Sequence, residues 1–127
     1  MQDKLNAVKE FHTAFKIGYS ENRRASLGES KNLLRFNLMK EENEEYLEAA
    51  QNDDIVEIAD ALGDMLYILC GTIIEHGLQH KIDEVFNEIQ RSNMSKLGED
   101  GKPIYREDGK VMKGPNYFKP NFEEILK

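Results

Sequence analysis

The chain has 127 residues, with an apolar fraction of 39% and a charged fraction of 32%, and this composition suits one soluble globular domain with a modest core. Its net charge of −7 argues against binding to long DNA or RNA, because such binding needs a basic surface. The single cysteine, Cys70, excludes a disulfide framework, and no apolar run approaches the ~20 residues of a membrane span. The N-terminal segment is charged and unlike a signal peptide, so we expect a cytoplasmic protein.

Apolar residues recur at helical spacing in four segments, and each segment predicts one helix. The predicted helices cover about residues 5–17, 31–50, 55–76 and 81–93. Gly18 and Gly77 follow the first and third segments, where glycine commonly ends a helix, and Asp53 or Asp54 is a candidate N-cap for the third. The second half of the third segment is apolar on nearly every side, so we expect it at the centre of a bundle.

The composition changes after Ser95, where glycine, proline and lysine become frequent. Two similar segments, EDGKPIYR and EDGKVMKG, follow each other, and repeated Asp-Gly predicts tight turns. We therefore expect one domain, made of a helical part over residues 1–95 and a C-terminal arm over residues 96–127. The arm is either a plain surface tail or a functional lid, and a short β-hairpin that pairs residues near Ile104 with residues near Val111 fits its sequence.

The predicted fold class is all-α, a four-helix, up-and-down-like bundle with an irregular C-terminal arm. Such a small helical unit often completes its core by pairing with a copy of itself, so we expect a homodimer or a higher homo-oligomer.

Carboxylates gather on one side of the second and third predicted helices. At ~100° per residue, four residues of the second helix span an arc of roughly 120°: Glu41, Glu42, Glu45 and Glu48. Leu34 and Leu38 precede them on the same side, so a stripe expected to face the core becomes acidic. Three residues of the third helix lie within roughly 60° by the same arithmetic: Glu57, Asp60 and Asp64. Alone, either run is typical of a solvated helix face.

Two adjacent helices with a short connection pack antiparallel, so the two acidic sets should face each other. Confined carboxylates repel one another and lose hydration, and a divalent cation relieves both effects. Oxygen ligands suit Mg²⁺, with Mn²⁺ as a substitute. The chain lacks the Glu-x-x-His pattern of di-iron bundles, the Cys and His clusters of zinc sites, an EF-hand loop and a P-loop. The sequence therefore favours a magnesium site.

The paired acidic pattern resembles that of the all-α nucleoside triphosphate pyrophosphohydrolase superfamily, which includes MazG, phosphoribosyl-ATP pyrophosphohydrolase and the dimeric dUTPases. Its signature is Glu-Glu-x-x-Glu on one helix and Glu-x-x-Asp on the next, here Glu41, Glu42, Glu45, Glu57 and Asp60. The similarity covers roughly residues 33–93, and RSNMSK with KGPNYF is similar to the tail of the MazG-like, dUTPase-related branch.

The resemblance implies a role for each of these residues. Four residues would hold Mg²⁺: Glu42, Glu45, Glu57 and Asp60. Glu41 would orient or deprotonate a water that attacks the α-phosphorus and releases pyrophosphate. Other branches place the aspartate directly before a Leu-Leu-Tyr-like run, and here Asp64 precedes that run, so Asp64 shares or replaces the role of Asp60. Apart from the resemblance, six residues at the end of the fourth helix and in the arm offer cationic or polar groups that could contact the phosphates or the base, with ordinary solvated surface as the alternative: Arg91, Asn93, Lys96, Lys113, Asn116 and Tyr117.

Three functional hypotheses follow. The first is a Mg²⁺-dependent hydrolase that cuts a nucleoside or deoxynucleoside triphosphate, such as dUTP, to monophosphate and pyrophosphate. The second keeps the reaction and takes phosphoribosyl-ATP as the substrate, although the tail resemblance argues against it. The third is a non-enzymatic adaptor whose acidic helices bind a basic partner. A rise in melting temperature with Mg²⁺ separates the first two from the third.

Overall fold

The computed structural model describes residues 1–127 and contains four α-helices: α1 (Gln2–Ala14), α2 (Glu29–Gln51), α3 (Ile55–Glu75) and α4 (Ile82–Met94). This confirms the all-α class and the four predicted helices, whose ends differ from the predicted ones by three residues or fewer. None of them has the combined length and apolar character that crossing a membrane requires.

The start of α3 follows from its sequence. Asp54 is the N-cap, and its carboxylate accepts a hydrogen bond from the Glu57 backbone N–H at 3.2 Å. This bond satisfies one of the free N–H groups in the first turn. Of the two candidate caps, Asp54 is therefore the one used, and Asp53 has a φ of 52° in the connection before it.

The end of α3 depends on Gly77. This residue has a φ of 72°, a conformation that glycine adopts without steric cost. A Cβ at this position would also lie 2.2 Å from the backbone oxygen of Asn22. Both the turn and the close approach of the chain therefore require glycine here.

The first helix is shorter at its C-terminal end than predicted. It ends at Ala14 rather than Ile17, because Lys16 adopts a φ of 57° and the chain turns away. The N–H groups of Ile17 and Gly18 both point back to the carbonyl oxygen of His12, at 2.8 Å and 3.4 Å. These bonds close the helix in the manner of a left-handed C-cap.

The chain divides into an N-terminal unit (Met1–His80) and a C-terminal unit (Lys81–Lys127). In the N-terminal unit α3 packs against both α1 and α2. The buried apolar side chains come from all three helices: Leu5, Val8, Ala49, Ala61, Cys70, Ile73 and Ile74. The C-terminal half of α3 thus forms the centre of this core, and the lone cysteine is part of it. The division of the chain at residue 95 stays a prediction.

Two apolar faces expected in the core are exposed in the single chain. On α3, Leu66 and Leu69 are 38% and 42% exposed, because only two helices cover α3 and its third side is open. On α2, Leu34 is 50% exposed. The residue that follows it, Arg35, is buried, whereas Leu38 and Glu42 of the predicted stripe are half-buried, so the inward face of α2 is rotated away from Leu34 but still includes part of the stripe.

In the C-terminal unit the arm returns along α4. The Ser92 hydroxyl donates to the carbonyl oxygen of Phe118 at 2.8 Å, and the Phe118 N–H donates to Ser95 Oγ at 3.2 Å. Further along, the N–H of Asn121 donates to Glu88 Oε2 at 2.7 Å. The last part of the arm is therefore held on α4 by side chains of the helix.

The predicted hairpin forms as a single antiparallel bridge, between Tyr105 and Val111. Two backbone bonds flank the bridge: Met112 N–H to Ile104 O at 2.7 Å and Arg106 N–H to Lys110 O at 2.8 Å. The pairing lies where the sequence places it, but it is too short to form a strand.

Candidate active site

The carboxylates predicted to face each other do so between α2 and α3. Near the start of α2, Lys31 Nζ lies 3.1 Å from Glu75 Oε1 at the end of α3. Towards the end of α2, Glu42 interacts with Asp60 and Asp64 in the first half of α3. The start of α2 therefore lies beside the end of α3, and the later part of α2 lies beside the first half of α3. The two helices are antiparallel, as their short connection predicts.

Glu42 is the least solvated of these carboxylates. Its Oε2 atom is buried and has no hydrogen-bond partner. Burial, the hydrogen bond and charge of Glu45, and repulsion from Asp64 and Asp60 together raise the pKa of Glu42 to about 7. A partly buried carboxylate beside other carboxylates shows this effect, and a cation placed among them would reverse it.

An open cleft of about 390 Å³ lies at the connected end of the two helices, within the size range of small-molecule sites. Its lining comes from both helices and from the connection: Glu45, Glu48, Ala49, Asn52, Asp54, Glu57 and Asp60. Five of these seven residues carry a carboxylate. Any anionic ligand that enters the cleft therefore meets strong repulsion unless a cation accompanies it.

The donor set suits a hard divalent cation. All the charged groups of the cleft are carboxylates, with no histidine or cysteine among them, which argues against zinc. No three Asp, Glu, His or Cys side chains converge as a ready-made metal cage. Mg²⁺ does not need such a cage, because waters and substrate phosphates commonly complete the ligands that protein carboxylates give it. The orphaned oxygen of Glu42 gives one such carboxylate.

The structure places the five predicted metal ligands on the same helix pair, although no three of them converge on one point. Glu45, Glu57 and Asp60 line the cleft. Glu42 lies close enough to Glu45, Asp60 and Asp64 for their charges to raise its pKa. Since Asp60 and Asp64 both act on Glu42, the choice between these two aspartates stays open.

Glu41, the predicted catalytic residue, is exposed. It does not line the cleft, and it is not among the groups that shift the pKa of Glu42. Its role in orienting water stays a prediction.

Four residues of the cleft had no predicted role in the site: Glu48, Ala49, Asn52 and Asp54. Glu48 lies on the predicted acidic arc, three residues after Glu45, and this spacing was the available signal. Asp54 was predicted only as a helix cap. Asn52 is the C-cap of α2, and nothing in the sequence pattern marks it as a lining residue.

Among the predicted substrate contacts, Arg91 has partners of its own within the C-terminal unit. Its Nε lies 2.8 Å from Glu88 Oε1, and its guanidinium stacks 4.3 Å above the ring centre of Phe118. The hydrogen bond from Arg91, followed by that from the Asn121 backbone, lowers the pKa of Glu88. Arg91 therefore helps to hold the arm on α4.

The other five candidates also belong to the C-terminal unit: Asn93, Lys96, Lys113, Asn116 and Tyr117. The Lys113 ammonium lies 4.9 Å from the ring centre of Tyr117, and the Lys96 carbonyl accepts a hydrogen bond from Gly114 at 2.8 Å. Asn93 and Asn116 are exposed. Substrate binding by this group stays a prediction.

Comparison with known proteins shows the family to which the chain belongs. Residues 8–93 match the model of the phosphoribosyl-ATP pyrophosphohydrolase family. This match spans more than half of the chain, so the chain belongs to that family and is a hydrolase that acts on phosphoric anhydrides. The resemblance inferred from the sequence is thereby confirmed. No curated protein sequence matches the chain.

Among solved structures, the chain is similar to a protein of Exiguobacterium sp. 255-15 that is provisionally named an NTP pyrophosphohydrolase. The two chains share 26% identity, and the superposition has a TM-score of 0.50. It covers 92% of this chain and 88% of the other, so the likeness extends beyond residue 93, where the family match ends.

Proposed function

We propose that this protein hydrolyses a nucleoside or deoxynucleoside triphosphate to monophosphate and pyrophosphate, with Mg²⁺ held between α2 and α3. One observation carries the proposal: the buried, unpaired oxygen of Glu42 belongs to a carboxylate set that Asp60 and Asp64 complete from the facing helix. A set of this kind destabilises the fold when it is empty. Binding a cation is the function that best accounts for it.

The reaction needs positive charge that the cleft itself does not supply. When bound, Mg²⁺ would neutralise phosphate charge and so allow the triphosphate to approach the carboxylates. Glu42, Glu45, Glu57 and Asp60, with Asp64 as an alternative to Asp60, would hold the ion. Mn²⁺ should substitute for Mg²⁺, because it prefers the same oxygen ligands.

Glu41 is proposed to orient a water and to accept its proton. The water oxygen attacks the α-phosphorus, and the bond between that phosphorus and the oxygen bridging to the β-phosphorus breaks. Pyrophosphate then leaves with that bridging oxygen, and the monophosphate keeps the oxygen of the water.

We favour a nucleoside triphosphate over phosphoribosyl-ATP because the C-terminal segments of the chain resemble another branch of the superfamily. The family match ends at residue 93, whereas the likeness to the Exiguobacterium protein covers 92% of this chain. The RSNMSK and KGPNYF segments, which resemble the dUTPase-related branch, make dUTP the first substrate to test. Arg91, Asn93, Lys96, Lys113, Asn116 and Tyr117 remain the proposed substrate contacts.

The test is a panel of nucleoside triphosphates and phosphoribosyl-ATP, incubated with Mg²⁺ and analysed for products. We expect monophosphate and pyrophosphate as the products. We also expect turnover to fall by about a hundredfold or more in Glu57→Gln. Glu44→Gln is the matched control, because Glu44 is exposed on the same acidic helix and lines no part of the cleft. A rate on phosphoribosyl-ATP above that on every triphosphate would favour the second substrate. Equal activity in Glu57→Gln and the native protein would contradict the proposed site.

The non-enzymatic adaptor is disfavoured by membership of a hydrolase family. It also predicts no effect of Mg²⁺ on stability, whereas a bound ion must raise the melting temperature. A rise with Mg²⁺ that is absent in Glu57→Gln would exclude the adaptor.

The proposed partner is a second copy of the chain. Four apolar residues of α3 are 38% to 73% exposed, and at ~100° per residue they fall within an arc of roughly 60°: Ile55, Leu62, Leu66 and Leu69. This stripe lies on the side of α3 opposite Asp60, so a partner could cover it without closing the cleft. Light scattering should give the mass of a dimer or higher oligomer, and Leu66→Asp should shift it to the monomer. A monomeric native protein would contradict the proposal.

A further inference from the structure

A set of charged side chains lies buried among the three helices of the N-terminal unit, away from the acidic cleft. The buried charged cluster consists of Arg35 from α2 and Glu75 from α3, with the buried imidazole of His12 from α1 and the half-buried Lys31 from α2 beside them. Glu75 is 0% exposed and Arg35 is 8% exposed. Burying charged groups lowers stability unless other groups bind them or balance their charge. The contacts of each buried group therefore indicate its role.

Arg35 joins α2 to α3 through two hydrogen bonds. Its Nε donates to Thr72 Oγ1 at 3.0 Å, and its Nη2 donates to the carbonyl oxygen of Ile68 at 2.8 Å. The Thr72 hydroxyl donates to the same carbonyl at 2.9 Å. Because a guanidinium is planar and its donors have a fixed spacing, this arrangement permits only one alignment of α2 along this turn of α3.

Gly71 makes room for the cluster. A Cβ at this position would lie 2.6 Å from Arg35 Nη2 and 2.7 Å from His12 Nε2. Glycine weakens a helix interior relative to alanine. Its presence near the C-terminal end of α3 therefore serves the close approach of the arginine and the histidine.

Glu75 balances the buried positive charge. Its Oε1 lies 3.1 Å from Lys31 Nζ and 3.9 Å from His12 Nδ1, although neither oxygen is reached at hydrogen-bonding geometry. Burial lowers the pKa of Arg35, and the charge of Glu75 opposes that shift. Glu75 thus contributes a negative charge rather than hydrogen bonds. The hydrogen bonds that join α2 to α3 come from Arg35.

The cluster and the acidic site share the same helix pair. Arg35 and Glu42 are seven residues apart on α2, so they lie on nearly the same face and ~10.5 Å apart along the axis. Ile68 lies one turn beyond Asp64 on α3. If Arg35 fixes the position of α2 along α3, it also fixes the positions of Glu42, Asp60 and Asp64, which lie about two helical turns away.

We propose that Arg35 is a positioning residue, which holds α2 in the alignment along α3 that sets Glu42 opposite Asp60 and Asp64 for divalent-metal binding. This inference rests on the proposed function, since it assigns a cause to the affinity of that site. It predicts that loss of the Arg35 bonds weakens the metal site at a distance, without removing any ligand.

The experiment measures Mn²⁺ affinity by electron paramagnetic resonance in the full chain, at a temperature where every variant is fully folded. Arg35→Met keeps the apolar stem and removes the donors. Arg24→Met is the matched control, because the Nε of Arg24 donates to the Glu75 carbonyl of α3 at 2.9 Å but comes from outside α2. Both variants should melt below the native protein. Should Arg35→Met fail to fold, Thr72→Val removes one acceptor of the guanidinium and keeps the side-chain shape.

We expect the dissociation constant for Mn²⁺ to rise about tenfold in Arg35→Met, as for other groups that orient metal ligands. We expect about a threefold rise in Thr72→Val, which removes one of the two bonds. Arg24→Met should remain within about twofold of the native value, since it leaves α2 in place. Native affinity in Arg35→Met, or in Thr72→Val where Arg35→Met does not fold, would overturn the inference. Equal losses in Arg35→Met and Arg24→Met would also overturn it. A native protein that binds no Mn²⁺ would instead overturn the proposed function.

Discussion

Asp54 and Glu57 are joined by a 3.2 Å hydrogen bond from the Glu57 backbone N–H to the Asp54 carboxylate. Both residues also line the acidic cleft. The cap that starts α3 therefore lies inside the candidate active site, and its charge and its hydrogen bond can be tested separately.

Asp54→Ala should lower the free energy of unfolding by about 1 kcal/mol, because the first turn of α3 loses its cap. Asp54→Asn keeps a capping oxygen and should lie close to the native value. Urea denaturation of the two variants measures both effects. Equal losses would show that the charge of Asp54, rather than its hydrogen bond, contributes the stability.

The raised pKa of Glu42 predicts a pH dependence in the metal-free protein. Between the ordinary value of 4.5 and about 7, the folded protein holds a proton on Glu42 that the unfolded chain releases. The free energy of unfolding must therefore fall through this group as the pH rises across that window. Glu42→Gln removes the effect, so its stability relative to the native protein should increase from pH 4.5 to 7.

Denaturant titrations of both proteins at several pH values without metal check this prediction. A stability difference that stays constant over the window would show that Glu42 does not carry the raised pKa. Saturating Mg²⁺ should remove most of the difference, since the ion stabilises the ionised carboxylate.

Two glycines in α3 should respond oppositely to substitution. Gly71→Ala should destabilise the fold by about 1–3 kcal/mol, because the new methyl group meets Arg35 and His12 at under 3 Å. Gly63→Ala should stabilise it by about 0.5–1 kcal/mol, because nothing lies within 4 Å of a Cβ there and alanine favours the helix. Thermal or urea unfolding measures both changes. Stabilisation by Gly71→Ala would contradict the packing described for the buried charged cluster.

The arm should loosen when Ser92 loses its hydroxyl. The Ser92 side chain is 3% exposed and donates to Phe118 O, so Ser92→Ala leaves that carbonyl without its partner at a cost of about 1–2 kcal/mol. Limited proteolysis should then cleave the arm faster than in the native protein. Ser26→Ala is the control, because Ser26 is exposed in the N-terminal unit. An unchanged cleavage rate would show that the arm is held by other contacts.

The sequence predicted α2, α3 and their facing carboxylates because helical spacing, a capping aspartate and a short connection all point to one arrangement. It could not predict Arg35 as a core residue, since apolar periodicity assigns arginine to the surface. The burial of Arg35 depends on Thr72, Ile68 and the space left by Gly71, and these contacts exist only once α3 is in place. The early end of α1 was missed for a similar reason, because it depends on a left-handed turn at Lys16 that has no glycine to mark it.

The most direct test of the central proposal is hydrolysis of dUTP, or of the best triphosphate substrate, in ¹⁸O-labelled water with Mg²⁺. Mass spectrometry of the products identifies the phosphorus atom that the water attacks. We predict monophosphate and pyrophosphate in equal amounts, the label in the monophosphate alone, and loss of the reaction when Mg²⁺ is chelated. Release of orthophosphate, label in pyrophosphate, or full activity without a divalent metal would contradict the proposal.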